Sequence, residues 1–244
     1  MNSRARNSEG FDERVAEICS VYKDALQLRQ HNIRVICVDE KTSIQAIERE
    51  VSSLPMIWGS PEKIEFEYTR HGTQCLIANF EVASGQILVP TIAATRKEED
   101  FLNNIKSVVA TCPDTEWIFI LDQLNTHKSE SLVRWVASQI GFSGDLGING
   151  HANRSGRGIL KSMETRMQFL ENKTHKIRFL FTPKHCSWMN QVEIWFGGLS
   201  RKLLKRGSFT SITNLKESIL NFIYHYNLKT KPYRWTYEGK VLQS

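Results

Sequence analysis

A run of five apolar residues, WIFIL at positions 117–121, stops abruptly at Asp122. The run is shorter than a typical helix and has no polar alternation, which is typical of a strand buried on both faces. Such a strand needs parallel neighbours in a sheet that is covered by helices. The run therefore predicts an α/β sheet with Asp122 at the carboxyl end of a central strand.

The rest of the chain supplies the elements that such a sheet needs. Apolar and β-branched runs predict strands at residues 33–40, 65–70, 74–82, 86–94, 117–122 and 177–183. Apolar residues at helical spacing predict helices at residues 12–29, 97–110, 129–140, 187–206 and 213–227. Because hairpin strands precede alternating helices and strands, we expect an α/β fold. Its mixed sheet combines antiparallel hairpin strands with parallel strands and is flanked by helices.

Basic residues are concentrated in the C-terminal part of the chain. Residues 1–150 contain 15 lysines and arginines against 21 acidic residues, whereas residues 151–244 contain 17 against 5. A positive segment that also carries tryptophan, phenylalanine and tyrosine is typical of a surface that binds nucleic acid. A solvated basic face that keeps the protein soluble explains the charge equally well.

Cysteine usage and hydropathy predict a reduced protein without a membrane anchor. The five cysteines are scattered and include no C-x-x-C pair, which argues against a disulfide framework and a structural zinc site. No stretch approaches the roughly 20 apolar residues that cross a bilayer. The first residues lack the apolar core of a secretory signal.

Two of the predicted strands end in aspartate, at Asp39 and Asp122. Either residue alone is explained by an aspartate that caps the following turn. At the ends of neighbouring strands, about 4.8 Å apart, both carboxylates would reach a shared hard cation. Without that cation the like charges would repel and raise one pKa.

Glu193, in the predicted helix 187–206, is the third candidate ligand. Helical spacing places it on the flank of a buried stripe of Trp188, Val192, Trp195 and Leu199. A carboxylate among aromatic neighbours is costly unless it is paired, and a metal ion would pair it. Two aspartates and one glutamate form an oxygen-only ligand set, which suits Mg²⁺ or Mn²⁺ better than zinc.

Six short motifs follow one another along the chain. They are VDEKT (38–42), RHGT (70–73), LDQLNTHKS (121–129), TPKHCSWMNQVEIWF (182–196), LLKRGSF (203–209) and FIYHYN…KPYRWTYEGK (222–240). Their order and spacing resemble the DDE transposases of bacterial insertion sequences related to the mariner superfamily. The resemblance runs from about residue 30 to the C-terminus, and it implies a ribonuclease-H-like catalytic domain.

The resemblance also implies a chemistry and a set of partners. Asp39, Asp122 and Glu193 would form an acidic triad that binds two Mg²⁺ ions, for which Mn²⁺ substitutes. The implied activity is DNA strand cleavage at transposon ends followed by strand transfer into target DNA. The implied partners are double-stranded DNA, a second copy of the chain on that DNA, and a separately encoded helix-turn-helix half. The expected location is the bacterial cytoplasm, in association with the nucleoid.

The resemblance divides the chain into three parts. Residues 1–30 are expected to be a linker helix, the remnant of an upstream DNA-binding region. Residues 31–210 are expected to form the catalytic domain, with a basic glycine-rich insertion and its following helix at 141–176. Residues 211–244 are expected to form a C-terminal helix and a basic aromatic tail.

Further polar residues are expected to support the triad or to hold DNA. Asn125 and His127 follow Asp122 closely enough to face the same cleft, although a histidine that caps the next helix explains His127 as well. Asn190 is expected to bond either the Glu193 carboxylate or DNA. The expected DNA contacts are Arg154, Arg157, Lys184, His185, Arg201, Lys202, Lys205 and Arg206.

Two departures from the family pattern leave other functions open. Position 123 is glutamine where these transposases usually have asparagine, and only about 30 residues precede the matching segment. One alternative is therefore a catalytically impaired fragment that only binds DNA or a transposase. Another is a ribonuclease-H-like nuclease or resolvase that acts on structured nucleic acid.

Overall fold

The computed structural model describes residues 10–49, 67–150 and 155–237, and a five-stranded mixed sheet forms its centre. The strands are β1 (Ile33–Arg49), β2 (Tyr68–Glu81), β3 (Ile87–Ala93), β4 (Glu116–Leu121) and β5 (Ile177–Phe181). Their order across the sheet is β3-β2-β1-β4-β5. The pairs β1–β2 and β2–β3 are antiparallel, whereas β1–β4 and β4–β5 are parallel. The predicted ribonuclease-H-like α/β fold is confirmed.

Helices cover both faces of this sheet. In the described ranges they are α1 (Phe11–Gln30), α2 (Glu98–Ala110), α3 (Glu130–Gln139), α4 (Met163–Leu170), α5 (Val192–Leu199) and α6 (Ile212–Asn227). Helices α1, α5 and α6 share one apolar core with one face of the sheet, and α2, α3 and α4 share a second core with the other face. None of these helices is long and apolar enough to cross a membrane.

Strand β4 is buried on both faces, as its apolar run predicts. Ile118 and Ile120 enter the core under α1, α5 and α6, whereas Trp117, Phe119 and Leu121 enter the opposite core. Successive side chains of a strand point to opposite faces, so a strand between two helical layers needs apolar residues at every position. The predicted end of the run at Asp122 is one residue beyond the observed end of β4.

Helix α1 contributes to the main core. It buries Ile18 and Tyr22 against the sheet, and the C-terminal tail returns to pack on it. The Trp235 ring lies 4.9 Å from the Tyr22 ring, and the indole Nε1–H of Trp235 donates to Cys19 Sγ at 3.4 Å. Residues on either side of the expected boundary at residue 30 therefore share one core.

Strands β1 and β2 are longer than the sequence predicts. The described part of the predicted strand 65–70, together with the predicted strand 74–82, corresponds to the single strand β2, and residues 65–66 lie outside the described residues. Strand β1 continues beyond residue 40 to Arg49. Pairing of β1 with β4 ends at Cys37, whereas pairing with β2 continues past an irregularity between Lys41 and Ile44. The acidic end of the predicted strand is thus the point where β1 leaves β4, and from Ile44 onward β1 and β2 continue as a two-stranded ribbon.

The predicted helix 187–206 is divided into three pieces. A short 3₁₀ turn at Ser187–Met189 precedes an extended residue, Asn190 (ψ 112°), and α5 begins only at Val192. After α5, the segment Ser200–Leu204 widens into a π turn, in which the Lys205 N–H donates to the Ser200 carbonyl at 2.8 Å. These changes re-aim the side chains before and after α5, which a uniform helical pattern does not reveal.

The glycine-rich insertion closes on itself. Ile148 and Arg157 exchange two backbone hydrogen bonds of 3.0 and 3.1 Å. Gly147 has φ of +81°, and a Cβ there would lie 1.9 Å from the Arg157 carbonyl oxygen, so the bridge requires glycine at this position.

We expect Leu121→Ala to lower the free energy of unfolding by about 2–5 kcal/mol, since the Leu121 side chain is fully buried beside Asp122. Leu26→Ala is the matched control, because Leu26 on α1 is 60% exposed, and its cost should stay near or below about 0.5 kcal/mol. Urea unfolding of the two variants checks this. Equal losses would contradict the described burial of β4.

Candidate functional site

The register of β1 and β4 brings Asp39 and Asp122 to the same edge of the sheet. Ile33 pairs with Glu116 and Cys37 pairs with Ile120, so partners differ by 83 positions, as Asp39 and Asp122 do. The two aspartates follow the last observed pair, Cys37 and Ile120, by two residues on each chain, and the charge of Asp122 acts on Asp39. Because side chains alternate along a strand, Asp39 shares the face of Cys37, which α1, α5 and α6 cover, whereas Asp122 lies beyond the end of β4 and its carboxylate contacts His127.

A buried asparagine, Asn190, connects the backbone of Glu193 to strand β1. The Asn190 side-chain amide donates to the Val38 carbonyl at 2.8 Å, and the Glu193 N–H donates to the Asn190 carbonyl at 3.0 Å. Asn190 is fully buried. It therefore fastens the start of α5 to the residue before Asp39, and its observed partner is neither the Glu193 carboxylate nor a surface that DNA can reach.

The sequence gives a wrong account of the surroundings of Glu193. We expected its carboxylate to lie among buried aromatic side chains, but Glu193 is exposed. Val192, Trp195 and Leu199 are buried as expected, whereas Trp188 is 41% exposed. Trp188 is exposed because the break at Asn190 separates it from the helical stripe of α5.

The charges of Asp122 and Glu193 both act on the Asp39 carboxyl group. Burial, and then the negative charges of Asp122 and Glu193, raise the pKa of Asp39 to about 7. The Glu40 N–H donates to Asp39 Oδ1 at 2.7 Å and acts in the opposite direction, as does the nearby His127. Since like charges raise the pKa of a carboxyl group only at short range, Asp39, Asp122 and Glu193 share one electrostatic environment.

The donor chemistry of the triad fits a hard divalent cation, since all its potential ligands are carboxylate oxygens. The side chains have not converged on one point. In the three described ranges, no group of three or more histidine, cysteine, aspartate or glutamate side chains is placed to hold a metal ion. Asp122 Oδ1 instead accepts a hydrogen bond from the Leu124 N–H at 3.0 Å and forms an ion pair with His127 Nδ1 at 2.8 Å, while the same Nδ1 lies 3.3 Å from the Asp122 carbonyl oxygen.

His127 is a buried cation between two carboxylates. Its ring is fully buried 4.3 Å from the Phe101 ring, with Nδ1 at 2.8 Å from Asp122 Oδ1 and Nε2 at 3.6 Å from Glu40 Oε1. Burial acts to lower the His127 pKa, but the two carboxylates outweigh it and raise the pKa to about 9. Burial likewise acts to raise the Asp122 pKa, and the hydrogen bond from His127 outweighs it and lowers that pKa.

The capping explanation for His127 does not fit, because Ser129 caps the following helix. Ser129 Oγ accepts a hydrogen bond from the Leu132 N–H at 3.2 Å.

Gln123 turns toward β5, and its side-chain amide donates to the Thr182 carbonyl at 3.0 Å. Asn125 is exposed and lines a cavity of about 580 Å³ beside α3, together with Ser129, Arg134 and Arg166.

Two residues that the sequence analysis passed over lie close to the triad. The Glu40 side chain is only 3% exposed, although a charged residue at a strand end resembles a surface position. Lys128 is buried with Nζ 5.7 Å from the centre of the Phe181 ring, and burial and then the charge of Lys184 lower its pKa. Glu40 follows Asp39 and Lys128 follows His127 in the sequence, and this adjacency was the feature that could have identified them as site residues.

The expected DNA contacts that the structure describes are exposed. Lys184 and His185 follow β5 directly, and Arg157 pairs with Asp145 at 3.2 Å. The basic turn, defined as Arg201, Lys202, Lys205 and Arg206, follows α5 and leads away from Glu193. Arg154 lies outside the described residues.

The basic turn is tied to the far end of β1. The Arg49 N–H donates to Ser208 Oγ at 2.9 Å, and Arg49 Nη2 donates to the Lys205 carbonyl at 2.9 Å. The Phe209 N–H also donates to the Ile47 carbonyl at 2.7 Å. The strand that carries Asp39 thus contacts the segment that carries the basic turn.

Comparisons with solved structures show the same fold in one group of proteins. A pre-cleavage Mos1 transpososome matches with a TM-score of 0.55 at 11% identity, and the Mos1 transposase paired-end complex with the left transposon end matches with 0.53 at 11%. The Mos1 mariner paired-end complex with Mn matches with 0.52 at 12%. Each match covers 92% of this chain and 56% of the other, so the chain spans little more than half the length of these proteins.

The sequence matches one family model over most of its length. No curated protein sequence matches the chain. Residues 34–216, however, match the family model described as DDE superfamily endonuclease. The chain therefore belongs to this family, and the resemblance that its motifs predict is confirmed.

The pKa of Asp39 predicts a pH-dependent stability in metal-free protein. Because this pKa rises from 3.8 to about 7 on folding, ionisation of Asp39 opposes folding, and its effect grows as the pH rises from about 4 to about 7. We expect Asp39→Asn to unfold roughly 5 °C above the wild type at pH 8 and at the same temperature near pH 4. Thermal melts with a chelator present measure this.

The same melts distinguish a cation site from simple repulsion. Added Mn²⁺ at pH 8 should raise the Tm of the wild type but not that of Asp39→Asn, since a ligand stabilises the state that binds it. Asp24→Asn, which changes an exposed residue of α1, should behave like the wild type. A wild type and an Asp39→Asn variant with equal Tm at pH 8 would contradict the described environment of Asp39.

Proposed function

We propose that the chain is the catalytic domain of a DDE transposase that cuts DNA strands at transposon ends and joins them to target DNA. The observation that carries this proposal is that Asp39 and Asp122 follow the last pair of the β1–β4 register at one edge of the sheet, where the charges of Asp122 and Glu193 both act on Asp39. The similar structures are Mos1 transposase complexes, among them one with a transposon end and one with Mn. They support DNA as the substrate and a divalent cation as the cofactor.

Asp39, Asp122 and Glu193 would hold the divalent ions, Mg²⁺ or Mn²⁺, with two ions per site. When bound, such ions activate a water or hydroxyl group and stabilise the leaving oxygen of a phosphodiester. The protein holds the ligands in register through β1 and β4, and Asn190 fixes the start of α5 beside them. His127 fixes the orientation of the Asp122 carboxylate through Nδ1.

The positive side chains around the triad would bind the DNA backbone. Lys184, His185 and the basic turn are exposed after the elements that lead to the triad, and they suit phosphate contacts. Lys128 and Lys184 are close enough for the charge of one to lower the pKa of the other, so an anion between them would relieve their repulsion. From the family resemblance we also propose a homodimer on DNA and end recognition by a separately encoded helix-turn-helix half.

Asp122→Asn tests the assignment. We expect the rate of Mn²⁺-dependent cleavage of end-bearing DNA to fall about 1,000-fold or more, since a metal ligand and its charge are lost. DNA affinity should change less than about two-fold, because few phosphate contacts are lost. Asp114→Asn is the matched control, as Asp114 is exposed at the opposite end of β4.

The products of the same assay separate the alternatives. Joined products in target DNA support a transposase, whereas nicks without joining support a nuclease or resolvase. DNA binding by the wild type without cleavage in either Mg²⁺ or Mn²⁺ supports the impaired fragment. Undiminished cleavage by Asp122→Asn would overturn the assignment of the triad.

Replacement of Lys202 and Lys205 by glutamine tests the basic turn. The plot of log affinity against log salt concentration has a negative slope, and each lost phosphate contact should make this slope less steep by about 1. Binding should weaken for all DNA sequences alike. Lys106→Gln is the control, since Lys106 is exposed on α2 at the other face of the sheet. Fluorescence anisotropy at several salt concentrations measures the slopes, and an unchanged slope in the double variant would remove the basic turn from the DNA surface.

A further inference from the structure

Glu40 is a buried carboxylate to which the proposed chemistry gives no task. Its side chain is 3% exposed, and the atom Oε2 has no hydrogen-bond partner in the described part of the chain. The nearest basic side chain recorded at Oε2 is Arg96, whose Nη1 is 3.6 Å away and which is itself 52% exposed. A buried carboxylate so weakly compensated is costly, and a surface ion pair does not explain its position.

The partner on the inner side of Glu40 is His127. Its Nε2 lies 3.6 Å from Glu40 Oε1 and has no hydrogen bond within the described residues, while its Nδ1 lies 2.8 Å from Asp122 Oδ1. The Phe101 ring at 4.3 Å restricts the plane of the imidazole. Glu40 and Asp122 therefore stand at opposite edges of one fully buried ring.

The geometry of β1 explains how one strand serves both sides of the site. Asp39 and Glu40 are consecutive, so their side chains leave β1 toward opposite faces of the sheet. Asp39 has the parity of Cys37, which faces the α1, α5 and α6 layer. Glu40 faces the layer of α2, where Phe101 holds the His127 ring.

We propose that Glu40 is a positioning residue, which holds the outer edge of His127 so that the inner edge fixes the Asp122 carboxylate at the triad. This inference rests on the proposed function, because it concerns the same site. Residues that orient a metal ligand from behind commonly change metal affinity or activity 10- to 100-fold when they are replaced. Asp39 would then be a ligand and Glu40, next to it, a support for the ligand from the neighbouring strand.

Glu40→Gln tests the proposal, since it keeps the shape of the side chain and removes its charge. We expect the Mn²⁺ concentration for half-maximal DNA cleavage to rise about 10-fold or more, with DNA affinity unchanged within about two-fold. Glu48→Gln is a close control, because Glu48 lies on the same strand and also pairs with a histidine, His71, at 2.7 Å. Its Mn²⁺ requirement should equal that of the wild type.

A second readout needs neither metal nor activity. The ring nitrogens of His127 are observable by ¹⁵N NMR in metal-free protein, and His127→Gln identifies their signals. Glu40→Gln should shift the signals of both Nδ1 and Nε2, whereas Glu48→Gln should leave them in place. Unshifted signals together with an unchanged Mn²⁺ requirement would overturn the proposal and leave Glu40 a structural residue.

Failure of the role proposed for Glu40 and failure of the proposed function give different experimental results. If the wild type cleaves no DNA, the proposed function fails, and Mn²⁺ binding followed by electron paramagnetic resonance together with the ring signals still decides the role of Glu40. If Glu40→Gln does not fold, Glu40→Asp replaces it, because the aspartate keeps the charge but sets it further from His127. Wild-type Mn²⁺ affinity and ring signals in Glu40→Asp would then overturn the proposal.

Discussion

The parallel pairing of β1 with β4 is the constraint on which the rest of the structure depends. Its backbone pairing continues to Cys37 and Ile120, two residues before Asp39 and Asp122, and so brings both aspartates to one edge of the sheet. A slip of one residue would send one aspartate to the opposite face of the sheet. Two helical layers make such a slip costly, because every side chain from Trp117 to Leu121 is buried in one core or the other.

The two aspartates at the edge of the sheet differ in their pKa values. Asp39 and Asp122 lie at one edge of the sheet, yet their pKa values move in opposite directions, because burial dominates at Asp39 whereas the direct contact with His127 outweighs burial at Asp122. The arrangement therefore makes the two aspartates unequal before a cation arrives. Asp122 is held as an anion, whereas Asp39 ionises near neutral pH.

The sequence predicts the architecture better than the surroundings of the site. The apolar run before Asp122 depends only on burial, which leaves a direct mark on composition, and it predicts the central strand correctly. The surroundings of Glu193 depend on one extended residue, Asn190, whose side chain finds a distant carbonyl. The burial of Glu40 likewise depends on a histidine 87 positions later in the chain. Contacts between residues so far apart in sequence have no periodic signal.

The continuation of β1 past the sheet has a mechanical consequence. One arm of this strand carries Asp39, and the other arm, near Arg49, is fastened by hydrogen bonds to the backbone that bears the basic turn. Pairing with β2 continues from Asp39 to Arg49, with irregularities between Lys41 and Ile44 and between Ala46 and Ile47. In the proposed transposase, the segment that would contact the DNA backbone is therefore joined by backbone hydrogen bonds to the strand that carries a metal ligand, so a displacement of one would reach the other.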